Sequence, residues 1–166
     1  MDFFIRPYKP GEEAYVADAH RRVYSEEYHW GEPFISYAMH IPLAFAQKEP
    51  SAREGFWIAE CDGRPVGSIM LCGTDDPELG QLRLFLVEKP YRRQGMGKAL
   101  TAVLLDKARA AGYKRLMLET AHPLTEAIAH YEKLGFRKVE ETPNTDWSLD
   151  GDTVYEIKMR MDLRED

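Results

Sequence analysis

Near the end of the chain Tyr155, Ile157, Met159 and Met161 alternate with Glu156, Lys158 and Arg160. A period of two places the apolar set on one face of a strand, so the pattern predicts a strand over residues 153–161. Apolar runs rich in branched and aromatic residues predict further strands at 3–6, 56–61, 66–71, 82–87, 115–119 and 136–141. Asp62-Gly63 stands between the second and third of these and reads as a hairpin turn. Helical spacing appears elsewhere. Leu100, Val103, Leu104, Ala108 and Ala111 share one face of a helix over 97–111, with Gly112 at its C-terminal cap. Ala14, Val16, Ala17 and His20 mark a helix that Pro10-Gly11-Glu12-Glu13 leads into and that ends near residue 25. Trp30-Gly31-Glu32-Pro33 breaks the pattern. A second helix is predicted over 34–48, where Pro42 removes a backbone donor and is expected to kink or split it. A fourth helix runs over 124–134 and stops at Gly135, and residues 74–80 read as a polar loop. The order β-α-α-β-β-β-α-β-α-β-β is an α+β plan around a mixed sheet of about seven strands with about four flanking helices.

The strand at 82–87 and the helix at 97–111 are joined by Arg92-Arg93-Gln94-Gly95-Met96-Gly97, followed by Lys98. A helix N-terminus presents unpaired N–H groups and the positive end of the helix dipole, which attract phosphate. Two glycines let a ligand come close to the backbone, and Arg92, Arg93 and Lys98 add positive charge. The simplest reading is a pyrophosphate cradle. A dinucleotide fingerprint would need glycine at position 100, which is Leu100, and a Walker loop would need Ser or Thr after Lys98, which is followed by Ala99.

Composition narrows the function classes. The chain has 166 residues, is 44% hydrophobic and 30% charged, and carries a net charge of -6. These values describe one globular domain, 1–166, with an ordinary core. The acidic balance argues against nucleic acid as the main partner. No apolar run reaches the ~18–20 residues of a membrane span, and Met1 to Arg6 lacks the features of a secretory leader, so a cytoplasmic, membrane-free protein is expected. Cys61 and Cys72 fall in predicted strands and read as small buried hydrophobes. The five histidines form no metal-spaced cluster, so no metal is expected.

The pattern Q/R-x-x-G-x-G/A, met here by Arg92, Gly95 and Gly97, resembles the acetyl-CoA motif of the GNAT family of N-acetyltransferases. Ala127-Ile128-Ala129-His130-Tyr131-Glu132-Lys133-Leu134-Gly135-Phe136 resembles the same family's A-x-x-x-Y-x-x-x-G-F signature. The match is strong over residues 82–139, and the predicted element order extends it more weakly over nearly the whole chain. The resemblance implies acetyl-CoA as co-substrate and direct acetyl transfer to a primary amine of a small molecule or protein, that is, an acyltransferase. It implies that backbone groups of Phe85, Leu86 and Val87 bind the pantetheine arm and polarise the thioester carbonyl. It places the pyrophosphate on the loop Arg92, Arg93, Gln94, Gly95, Met96, Gly97 and Lys98. Tyr131 takes the general-acid position, since a phenol of pKa about 10 can protonate a freshly formed, desolvated thiolate. Glu119, at the end of the fifth strand, is a candidate base, with His122, His130 or a water path as alternatives. Many members carry Asn where this chain has Leu124, which leaves one contact to the cofactor arm in question.

Family acceptor sites are built from the junction of the first two helices and the loop between the last two strands. Here the first holds Tyr24, Glu27, Tyr28 and Trp30, and the second holds Asn144, Asp146 and Trp147 beside the Asp150-Gly151-Asp152 turn. Such a wall suits an amine with an apolar body. The run from Tyr24 to Trp30, with Trp57-Ile58-Ala59-Glu60, is similar to the acetyltransferase half of bacterial MarR–GNAT fusion proteins, without the winged helix. Family members often dimerise, sometimes through the final strands, so a homodimer is open. The alternative function is a non-catalytic acyl-CoA-binding sensor or interaction module, which would keep the phosphate loop and need neither Tyr131 nor an acceptor pocket.

Overall fold

The computed structural model describes residues 2–49 and 51–163; Met1, Pro50 and residues 164–166, which the 1–166 expectation includes, lie outside the described residues. Seven strands, β1 (Phe3–Pro7), β2 (Gly55–Cys61), β3 (Arg64–Gly73), β4 (Leu79–Val87), β5 (Arg115–Ala121), β6 (Arg137–Asn144) and β7 (Val154–Asp162), form one sheet. Its order is β1-β2-β3-β4-β5-β7-β6. Only β4 and β5 run parallel; every other neighbouring pair is antiparallel. The helices are α1 (Glu13–Glu26), α2 (Glu32–Ala46), α3 (Met96–Ala110) and α4 (Thr125–Leu134). The α+β plan read from the sequence is the observed fold.

The sheet has a core on each face. Leu100, Leu104 and Ala108 of α3, all fully buried, meet Ile69, Leu71, Leu116 and Leu118 on one side. Each buried leucine contributes about 1.5–3 kcal/mol relative to exposure. On the other side Val16 of α1 packs with Phe56, Ile58, Met70 and Leu84. Of the residues at helical spacing in α1, Val16, Ala17 and His20 are buried while Ala14 faces solvent.

Three sequence expectations are corrected. First, Pro42 neither splits nor ends α2. Ile35, Ala38 and Pro42 lie buried along one stripe, and that packing carries the helix across the missing donor. Second, the loop before β4 is shorter than 74–80, because the strand starts at Leu79. Gly80 resembles a turn residue but sits inside the strand; a Cβ there would lie 3.0 Å from Leu116 and 3.2 Å from Leu71. Third, β6 continues past residue 141 to Asn144 despite Pro143. β6 is the last strand of the sheet, so a proline there removes no needed ladder bond.

Candidate active site

β4 and β5 pair only from Leu79↔Arg115 to Gln81↔Met117 and then separate. The cause lies in β4 itself. Between the pairs Ser68↔Leu86 and Met70↔Arg83, two residues of β4 oppose one of β3, a β-bulge. Leu84 takes φ 54, rare for a branched residue. The buried Ser68 hydroxyl donates to the Leu84 carbonyl oxygen at 2.7 Å and satisfies the group the bulge displaces. Gly67 stands opposite because a Cβ there would lie 2.7 Å from the Leu86 carbonyl oxygen. Past Gln81 the free edge of β4 opens onto a cleft of about 1010 Å³.

After β4 a short 3-10 turn, Lys89–Tyr91, leads into the glycine loop. Arg93 has φ 64, and Gly95, the N-cap of α3, has φ 90. Left-handed residues at these two positions turn the backbone just ahead of α3. Among the described residues, the N–H groups of Arg93, Gln94, Gly95, Met96, Gly97 and Lys98 have no backbone acceptor. Free donors at the positive end of a 15-residue helix are the kind of group that attracts phosphate. Gly97 allows a close approach, since a Cβ would lie 3.2 Å from the Phe85 ring. The side chain of Met96 is buried in the core, so only its main chain faces the loop.

The loop cations differ from one another. Arg92 donates to both Glu27 carboxylate oxygens, at 2.7 and 3.0 Å, and through Nε to the Val87 carbonyl at 2.7 Å. Two residues assigned above to different substrates, Arg92 and Glu27, therefore hold each other. Arg93 pairs with Glu126 at 2.6 Å in an exposed contact. Lys98 and Gln94 are exposed on the loop.

Tyr131 lies on α4 across the cleft, buried, with its ring 5.8 Å from Phe85 and 5.9 Å from Phe136. Burial, aided by the neighbouring Tyr24, pushes its phenol well above the ordinary value, so it stays protonated. Leu86 is buried against Ala19 and Val23 of α1, consistent with a role for its main chain alone. Glu119 is exposed and lines the cleft, directly opposite Lys158 of β7 in register. His122 is turned elsewhere: its Nδ1 accepts the Tyr155 backbone N–H at 2.9 Å, outside the cleft lining. His130 lines the cleft, stacks on Phe85 at 5.7 Å and shares a 3.1 Å hydrogen bond with Thr101; burial, then Lys133, lowers its pKa.

The acceptor side joins two loops distant in sequence. Leu149 N–H donates to the His29 carbonyl at 2.8 Å, Gly31 N–H donates to the Trp147 carbonyl at 2.7 Å, and Trp30 bridges Ser148. Trp30 is 2% exposed, stacked on Tyr24 at 5.3 Å and edged by Phe34 at 4.7 Å and Trp147 at 5.3 Å. It is the packed centre of this wall. Tyr24, Tyr28 and Trp147 form its half-buried surface. Asn144 caps the loop through its Oδ1 and donates from Nδ2 to Glu156 at 3.1 Å.

Sequence reasoning missed Ser68, Glu126 and Glu156. Ser68 had no local signal, because its partner carbonyl is across the ladder. Phe34 closes the acceptor-side run that begins at Tyr24, and its ring packs edge-on against Trp30 and Trp147. Among the described residues no group of His, Cys, Asp and Glu is placed to hold a metal, and both cysteines are free. No helix of the described residues is long and apolar enough to cross a membrane.

Known proteins resemble this chain in sequence and in fold. Human N-acetyltransferase 8 is 37% identical over 91 residues, 52% of this chain and 40% of that protein. The chain spans about half the length of the curated relatives it matches. Ard1 from Thermoplasma volcanium superposes with a TM-score of 0.75 at 24% identity, covering 99% of this chain and 100% of that one. An acetyltransferase from Salmonella typhimurium, solved with its cofactor acetyl-CoA, superposes with a TM-score of 0.74 at 15% identity over 100% of this chain and 96% of that one. The family profile for GNAT acetyltransferases matches residues 15–136, which hold the β4 bulge, the amide loop and Tyr131, and the chain belongs to that acetyltransferase (GNAT) family.

Proposed function

We propose that this chain is an acetyl-CoA-dependent N-acetyltransferase that acetylates a primary amine by direct transfer. The observation that carries the reading is the loop of free amides at the start of α3, opening into the same cleft as the buried phenol of Tyr131. Acetyl-CoA bound there supplies an activated acetyl thioester. Main-chain N–H groups of residues 93–98 would hold its pyrophosphate, with Arg93 and Lys98 adding charge. The unpaired edge of β4 at Phe85, Leu86 and Val87 would hold the pantetheine arm and offer a donor to the thioester oxygen. Tyr131, kept protonated by burial, would supply the proton to the departing sulfur. Glu119, an exposed carboxylate that lines the same cleft as Tyr131, would receive the amine proton directly or through water. No step uses a metal.

The acceptor is an amine with an apolar body, because the rings of Tyr24, Tyr28, Trp30, Phe34 and Trp147 line the cleft together with the carboxylates of Glu27, Glu119, Glu126 and Glu156. The similarity to human N-acetyltransferase 8 supports an N-acetyl product without fixing the substrate. Kinship with the acetyltransferase half of MarR-type fusions rests on the Tyr24–Trp30 run and Trp57-Ile58-Ala59-Glu60. A single unit over 1–166, acting in the cytoplasm, completes the reading. The test is acceptor-dependent release of CoA thiol across a panel of amines, from small aromatic amines and amino acids to peptide N-termini. Release with apolar amines supports the reading. Tight acetyl-CoA binding with no accelerating amine would favour the non-catalytic acyl-CoA-binding module.

A further inference from the structure

We propose that Arg92 is a positioning residue: it straps the turn after β4 to the C-terminal end of α1 and is not itself a phosphate ligand. The inference rests on the acetyl-CoA reading above. A guanidinium has five N–H donors in a fixed plane. Arg92 directs three of them within the protein, two to the Glu27 carboxylate as a fork and one to the Val87 carbonyl. Both side chains are mostly buried, 28% and 22% exposed, so water competes poorly for the pair. Burial works against the Arg92 charge, yet the Glu27 carboxylate outweighs it and raises the pKa above the ordinary arginine value.

Glu27 is the C-cap residue of α1, and Val87 is the last residue of β4. One side chain thus fixes the acceptor helix to the strand end that precedes the amide loop. A second clamp stands beside it. Glu88 accepts the Tyr15 hydroxyl at 2.5 Å and an Arg22 N–H at 2.8 Å, both from α1, while its own N–H donates to the Val66 carbonyl. The turn over residues 88–92 is therefore held to α1 at both ends. Arg93 offers the contrast: its pair with Glu126 is 82% and 66% exposed, so it is free to exchange for a phosphate.

The two roles for Arg92 predict opposite signs. If Arg92 binds phosphate, removing Glu27 deletes a competing negative charge and tightens acetyl-CoA binding. If Arg92 is a strap, removing Glu27 loosens the loop and weakens binding. Calorimetric titration of the full chain with acetyl-CoA reads this directly. Glu27→Ala is expected to weaken binding about tenfold, and Glu27→Gln to weaken it by a smaller factor. The charge swap Arg92→Glu with Glu27→Arg is expected to bind tighter than Arg92→Glu alone. Tightening in either Glu27 variant, or a swap that binds no better than Arg92→Glu, would overturn the proposal.

A readout without cofactor separates this idea from the functional one. The amides of Glu88, Tyr91 and Arg92 are hydrogen-bonded to Val66, Glu88 and Lys89. Their hydrogen exchange should be faster in Glu27→Ala than in the wild type, and unchanged exchange would overturn the strap. Wild-type protein that fails to bind acetyl-CoA would sink the functional reading, while the exchange result would still judge the strap.

Discussion

The two halves of the cleft are built by different means. The cofactor half is one continuous stretch, β4 through the amide loop to α3, and its proposed chemistry comes from main-chain groups. The acceptor half joins the α1–α2 junction to the β6–β7 loop, over a hundred positions away, through the bonds between His29 and Leu149 and between Gly31 and Trp147. Its proposed chemistry comes from side chains, with Trp30 packed at the centre. A main-chain site tolerates most changes of side chain so long as φ and ψ are kept. A side-chain site depends on which rings meet and can be rebuilt by exchanging a few residues. The fold can therefore keep one cofactor site and vary the acceptor.

The sharpest test of this contrast is Tyr131→Phe. Its ring packs as before, but its proton is gone, so kcat should fall by about 10²–10⁴-fold while acetyl-CoA affinity, read by calorimetry, stays near the wild-type value. Full turnover would remove Tyr131 from the chemistry and leave the loop untouched. Next is Trp30→Ala. Truncating a buried indole should cost about 3–5 kcal/mol of stability, seen as a lower thermal midpoint. Where the protein remains folded, KM for the amine should rise more than KM for acetyl-CoA. Equal rises would mean the halves are not separable in this way.

Acid should act on the acceptor half through His20. This side chain is fully enclosed in α1, with Nδ1 bonded to the Val16 carbonyl at 2.8 Å, and burial, opposed by that hydrogen bond, lowers its pKa to about 4. The unfolded chain, with a histidine near 6.5, binds the extra proton first. The stabilising contribution is therefore complete above about pH 6.5 and is lost progressively as pH falls toward 4. The total is about 3 kcal/mol. Thermal melts from pH 7 to 4 should show this slope, and His20→Leu should flatten it. Retention of the slope in His20→Leu would assign it to carboxylates instead.

Smaller effects belong to the cofactor half. Ser68→Ala leaves the Leu84 carbonyl without its buried donor and should cost about 1–3 kcal/mol, with weaker acetyl-CoA binding as the bulge relaxes. Gly95→Ala must hold an alanine at φ 90 and should cost about 1–2 kcal/mol, again with acetyl-CoA affinity as the more sensitive measure. If either substitution altered acceptor KM alone, the division between a main-chain half and a side-chain half would fail.

Much of the fold was readable because its signals are local. Alternation in β7, the apolar stripe of α3 and the Asp62-Gly63 turn each follow from residues a few positions apart. The errors arose where distant residues overrule local preference. Pro42 stays helical because Ile35 and Ala38 share its buried stripe, and Gly80 is strand because Leu116 and Leu71 cover it. In the site, the loop from Arg92 to Lys98 and the position of Tyr131 were legible, but the partnership of Arg92 with Glu27 was not. Nothing in either segment indicates that a cation of one closes on a carboxylate of the other.

The sequence by itself determined the elements, their order, the glycine loop before α3 and the place of Tyr131 on α4, since hydrophobic period, glycine conformation and motif spacing are properties of short segments. Tertiary structure alone decided that Ser68 supports the bulge, that Trp30 is buried and that Arg92 turns to α1. Those outcomes depend on distances between segments that meet only when the sheet forms, and no local propensity encodes such a distance.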